Sequence, residues 1–229
     1  MYEKSIQNPI FAYMNSSVRL IILNSTKLGE NSLVLHCLCR EMGRRSFIVT
    51  VRKGGSRAMF LPLNVLDAEV IENRKSDLWR LKNISPVHPL NGIRSHFDKN
   101  AISLFMSEVL WRSVQDGAAE DGLYDWCEKS VLTLDALEGD FANYHLRFLM
   151  ELAGALGFSP SFEGLAPFAE DNLKEIADLL SASMPEFMVY PLNGTRRGAI
   201  AKSLLKYLSA HLEIPLNIRS LPVLEELYR

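Results

Sequence analysis

The stretch "FIVTVRKGGSRAMFLPLNVLDAEV", residues 47–70, holds two apolar runs joined by a glycine turn that carries Arg52, Lys53 and Arg57. In the first run Phe47, Val49 and Val51 alternate with Ile48, Thr50 and Arg52, the period of two that sends successive side chains to opposite faces of a strand. The pattern continues on both sides. "SVRLIIL" (17–23), "SLVLHCLCR" (32–40), "SFIVTVRK" (46–53), "NVLDAEVIEN" (64–73) and "DLWRLKNISPV" (77–87) are short, rich in β-branched and aromatic residues, and separated by glycine or polar turns. Five strands in so short a span suit a small closed barrel, which leaves no sheet edge open, and the oligonucleotide-binding (OB) barrel is the commonest five-stranded form.

After Pro86 and Pro89 the period changes to that of helices. Asp98 is expected to cap "KNAISLFMSEVLWRSVQD", Asp121 to start "GLYDWCEKSVLTLDALE", and Asp140 to cap "FANYHLRFLMELAGALG", which stops at Gly157 ahead of Pro160. Further helices are predicted in "EDNLKEIADLLSAS", in "TRRGAIAKSLLKYLSAHL" and, after Ser220, in "PVLEELY". The fold class is therefore α+β: an N-terminal extension (1–16), an OB-fold domain (17–88) and an all-helical bundle (89–229).

The chain has 229 residues, 48% apolar and 23% charged, enough to bury a core, and no window approaches the roughly 18 uninterrupted apolar residues of a membrane helix. Its start lacks the apolar run of a signal peptide, so a cytoplasmic protein is expected. Three cysteines cannot all pair, and Cys37 and Cys39 fall on one face of a strand, which fits core thiols.

The net charge of −2 conceals an asymmetry. Residues 19–57 hold eight cations and two anions, a local balance of +6, whereas residues 58–229 sum to −8. A basic patch confined to one segment is the footprint of a surface for polyanions. Arg40, Arg44 and Arg45 lie between the second and third strands, and Arg52, Lys53 and Arg57 follow the third; closing the barrel is expected to gather both sets on one side. No helix or side-chain code for reading bases is evident, so sequence-tolerant binding is predicted. Phe47, Phe60 and Trp79 are the few aromatics of the barrel segment, each more readily core than stacking platform. A second cluster, Arg196, Arg197, Lys202 and Lys206, lies on the "TRRGAIAKSLLKYLSAHL" helix, either a solvated face or an anchor for an acidic peptide. Phosphate loops, paired-histidine zinc helices and serine elbows are absent, the five histidines are scattered, and His145 sits on an apolar stripe, so neither catalysis nor a cofactor is expected.

The order and spacing of "GENSLVLHCLCREMGRRSFIV", "RAMFLPLNVLDAEV", "KNAISLFMSEVLWRSV", "ANYHLRFLMELAGALGFSP" and "LPVLEELY" resemble the RecO family of bacterial recombination mediators, in its zinc-free, Bacteroides-like form. The resemblance covers nearly the whole chain. It implies binding of single- and double-stranded DNA, annealing of complementary strands, and loading of RecA recombinase together with RecR onto DNA coated by single-stranded-DNA-binding protein, whose acidic C-terminal tail docks on the helical domain. No covalent step is implied, and a monomer is the expected state. "FSPSFEGLAPFAEDN" has none of the zinc-binding cysteines many relatives carry there, so no metal is carried over. "RKGGSR" is shorter than the basic loop of many relatives. It leaves open an adaptor of the repair machinery with weak DNA affinity and, more distantly, a small RNA-binding barrel.

Overall fold

In the computed structural model, residues 15–51, 57–73, 76, 78–117 and 121–228 are described. Five strands, β1 (Asn15–Leu28), β2 (Ser32–Cys39), β3 (Gly43–Thr50), β4 (Val65–Ile71) and β5 (Trp79–Pro86), close into a barrel in the order β1-β2-β3-β5-β4. Every pairing is antiparallel except β3 with β5, a parallel contact of two residue pairs, Phe47 with Trp79 and Ile48 with Arg80. This is the OB-type barrel that the alternating runs predict.

Two strand boundaries differ from the sequence reading. β1 runs on to Leu28 as an exposed polar arm paired with β2 beyond an irregularity between Ile22 and Asn24; "NSTK" carries no buried face and so gives no periodic signal. β3 begins at Gly43, whose positive φ of 63° closes the turn from β2, so Arg44 and Arg45 belong to a strand and not to a loop.

Nine helices follow among the described residues: α1 (Asn91–Ser95), α2 (Phe97–Ser113), α3 (Leu123–Ala136), α4 (Tyr144–Ala155), α5 (Phe162–Leu165), α6 (Leu173–Ser181), α7 (Met184–Val189), α8 (Gly194–Leu212) and α9 (Leu221–Leu227). α1, α5 and α7 are too short to show a helical period, and the sequence reading passes over them. None of the three aspartates caps as expected. Asp98 lies inside the first turn of α2 with His96 before it, Gly122 precedes α3, and Asp140 stands before a single 3-10 turn with no side-chain bond. Acids in a first turn still favour the helix through its dipole. α2 and α4 bury residues around most of their circumference and form the centre of the bundle.

Strand β1 explains how the two halves join. Val18, Leu20 and Ile22 point into the barrel, while Ile21 and Leu23, from the opposite face, join Leu38, Leu63 and Val65 in the core of the helical bundle. α2 lies against this wall, and its Ser107 hydroxyl donates to the Leu23 carbonyl. Leu63 and Leu90 at the junction hold left-handed backbones, φ 61° and 46°, with almost no exposure. Burying a leucine is worth about 1.5–3 kcal/mol, which offsets a left-handed penalty of about 1–2 kcal/mol.

Candidate nucleic-acid interface

Because β3 starts at Gly43, its alternation sends Arg44 and Arg45 to opposite faces. Arg44 turns to the helical domain. Its guanidinium donates to Asp116 Oδ1 (2.7 Å) and to the carbonyls of Trp111 and Val114 (2.5 Å each) at the end of α2, and lies 4.2 Å from the Trp111 ring. Only 14% of the side chain is exposed. It caps the carbonyl end of α2, where positive charge is favoured. Trp111 also meets His36 at 4.2 Å, whose Nδ1 pairs with Ser46 Oγ. Burial, with the charge of Arg44 second, holds the His36 pKa below its ordinary value, against an opposing pull from Asp116.

Arg40 likewise reaches the bundle, donating to Asp125 Oδ1 (2.7 Å) and Glu128 Oε2 (3.2 Å) on α3. Arg19 forms a two-pronged pair with Asp67 on the neighbouring strand, 2.8 and 3.0 Å, which holds the Asp67 pKa down. Three of the eight cations between residues 19 and 57 are therefore matched by carboxylates distant in sequence.

Arg45 is different. Its guanidinium lies 3.9 Å from the centre of the Trp79 ring and Nη1 is 4.0 Å from Met42 Sδ, with no carboxylate partner among the described residues. Phe47 and Phe60, by contrast, are core. Trp79 is only partly buried, on β5 beside the two-pair contact with β3. Its neighbour Arg80 is exposed and makes no ion pair among the described residues; sequence reading overlooked it because a lone cation on an alternating strand gives no cluster. Arg57 is exposed ahead of a single 3-10 turn, Ala58–Phe60. Arg52 and Lys53 lie outside the described residues.

The expected gathering of both basic sets on one side turns on Arg52 and Lys53, outside the described residues. Of the second set Arg57 is described: the turn it precedes is held by Asn64, whose carbonyl accepts from Ile22, the β1 residue paired with Cys37 opposite Arg45.

In the second cluster, Arg197 is buried. It donates to Asn143 Oδ1 (2.9 Å) and the Leu192 carbonyl (2.8 Å) and lies over Tyr228, 5.0 Å from the ring centre. Asn143 in turn donates to the carbonyls of Phe187, Met188 and Tyr190, so Arg197 ties α8 to the end of α7. Arg196 pairs with Glu175 at 3.4 Å. Lys202 meets Glu225 at 2.7 Å and Lys206 meets Glu170 at 2.5 Å, both lysines more than half exposed. These two lysines, with Arg219, flank a groove of about 670 Å³ floored by Leu205, Leu216 and Ile218. The four cations thus divide between a buried tie, a helix-to-helix pair and a groove edge.

The free thiols Cys37, Cys39 and Cys127 are buried; burial raises all three pKa values, those of Cys39 and Cys127 to about 12. Among the described residues no three His, Cys, Asp or Glu side chains converge on a metal position, and no helix is long and apolar enough to cross a membrane.

Comparison with known proteins agrees with this architecture. Residues 14–90 match the family model "Recombination protein O N terminal" and residues 94–166 match "Recombination protein O C terminal", together about two thirds of the chain. The chain belongs to the RecO family. Curated relatives named DNA repair protein RecO include that of Bacteroides fragilis, 27% identical over 91% of this chain and 97% of its own length. That of Flavobacterium johnsoniae is 28% identical over 94% of this chain and 100% of its own. The Porphyromonas gingivalis RecO is 30% identical over 63% of this chain and 62% of its own. The first family match ends as β5 leaves the barrel and the second begins within α1, so the two models follow the change from strand to helix.

Proposed function

We propose that this RecO-family chain is a non-enzymatic mediator in DNA repair. It binds single- and double-stranded DNA, anneals complementary strands, and acts with RecR to load RecA on DNA coated by single-stranded-DNA-binding protein. The observation that carries the DNA-binding part is the barrel surface where Arg45, with no carboxylate partner among the described residues, lies over the partly exposed ring of Trp79. Phosphate needs charge that is not already neutralised, and bases need a ring to stack on. Annealing requires only that two polyanions be held together while base pairing supplies the free energy. The groove beside Arg219, whose edge lysines Lys202 and Lys206 are paired with Glu225 and Glu170, suits an acidic peptide that takes over those carboxylates' place, as the binding protein's acidic tail would. Arg197, held by Asn143, is removed from that role.

One observation favours the second reading, a protein adaptor with weak DNA affinity: Arg19, Arg40 and Arg44 are already ion-paired. A salt titration separates the two. With about five phosphate contacts, log affinity for single strands falls against log salt with a slope near −3 to −4. A flat titration, with tight binding of a labelled acidic tail peptide, selects the adaptor. Annealing of coated DNA, run with intact and with tail-less binding protein, tests the mediator role: annealing that does not depend on the tail removes the groove from the proposal.

A further inference from the structure

We infer that Trp79 is a stacking platform for an unpaired base and that Arg45 is its exchangeable cover. The inference rests on the DNA-binding reading above and deepens it by naming where a single strand is distinguished from a duplex.

Trp79 opens β5 and packs against the barrel core with Met42, Met59 and Ile84. Its ring carries the Arg45 guanidinium at 3.9 Å, close to stacking distance. Among the described residues β3 and β5 pair over Phe47–Ile48 and Trp79–Arg80, so Arg45 stands two residues before the first pair. Among the described residues the guanidinium meets the indole and, weakly, the Met42 sulfur. This contrasts with Arg44 one residue earlier, whose three strong acceptors fix it.

A planar cation on an indole occupies the place that a planar base takes. A base arriving on Trp79 keeps the ring covered, and the displaced Arg45 is left within reach of that nucleotide's phosphate, a stronger partner than thioether sulfur. A duplex keeps its bases inside its own stack, so it meets only the cations.

The test uses the full-length protein and three probes of equal length: oligo-dT, the same strand with abasic sites in place of bases, and a duplex. Unmodified protein is expected to bind oligo-dT roughly 5- to 100-fold tighter than the abasic strand. In Trp79→Leu, which keeps an apolar group against the core, that gap closes while duplex affinity stays within about twofold; Trp79→Phe keeps part of the gap. In protein labelled with 5-fluorotryptophan, the fluorine signal absent from Trp79→Phe is expected to shift on adding oligo-dT and to stay on adding the abasic strand. Equal affinity of unmodified protein for the first two probes, or parallel loss of single-strand and duplex affinity in Trp79→Leu, overturns the platform and leaves the DNA-binding reading standing. A protein that binds none of the three overturns both.

Discussion

Arg44 and Arg45 show how far neighbouring residues of one type can differ. Arg44→Ala leaves Asp116 and two carbonyls at the end of α2 without their cation, and is expected to lower stability by about 2–4 kcal/mol in urea unfolding. Arg45→Ala removes one half-buried cation–π contact and is expected to stay within about 1 kcal/mol, while weakening single-strand binding. His145 makes a prediction against pH. It is 1% exposed and edge-on to Phe105, and burial, with the charge of Arg197 second, lowers its pKa to about 3. The unfolded chain takes up that proton near pH 6.5 and the native one does not, so stability is fully present above pH 6.5 and falls as pH drops towards 3. Between pH 6 and 4 the protein should lose up to about 1.4 kcal/mol per pH unit more than His145→Gln, measured by denaturant titration at each pH. That His145 belongs to the core could be read from its apolar stripe. That Arg44 and Arg45 part company could not, because "GRR" reads as a turn until Gly43 is known to close it.

At the scale of elements, α1 is placed by a close approach that only glycine permits. A Cβ on Gly92 would stand 1.9 Å from the carbonyl oxygen of Asp135 at the end of α3. The same aspartate accepts the Ile93 amide on Oδ1 (2.7 Å), and its carbonyl accepts from the buried Lys99 ammonium (3.0 Å). One residue at the C-terminus of α3 thereby receives both α1 and α2. Gly92→Ala must push backbone apart, and is expected to lower the thermal midpoint by several degrees, about 1–3 kcal/mol, where Ala on an exposed helix would stabilise. The long helices were evident from their 3.6 period, and α1 was not, since five residues cannot establish a period and the reason for Gly92 lies more than forty residues away.

For the whole molecule, the barrel residues Ile21, Leu23, Leu38, Leu63 and Val65 are packed into the core of the bundle, and the two halves are expected to unfold as one cooperative body. Far-ultraviolet circular dichroism, which follows mainly the helices, and a β3 or β4 amide followed by NMR should therefore report the same denaturation midpoint. A fragment ending at residue 90 would leave those five apolar residues in water and is expected to aggregate or to unfold at much lower denaturant than the full chain. Separate midpoints would show that the wall contributes little. The ion pairs Arg40–Glu128 and Arg44–Asp116 clamp the same junction, between residues 88 and 72 positions apart. Alternating and helical periods, set by local backbone geometry, were enough to determine five strands, the long helices and the order barrel then bundle, and the order and spacing of particular stretches carried the RecO resemblance. Only the tertiary structure decided which cations of the basic segment remain available. Whether a guanidinium faces solvent or a carboxylate depends on which distant elements chain closure brings beside it, and no local period encodes that.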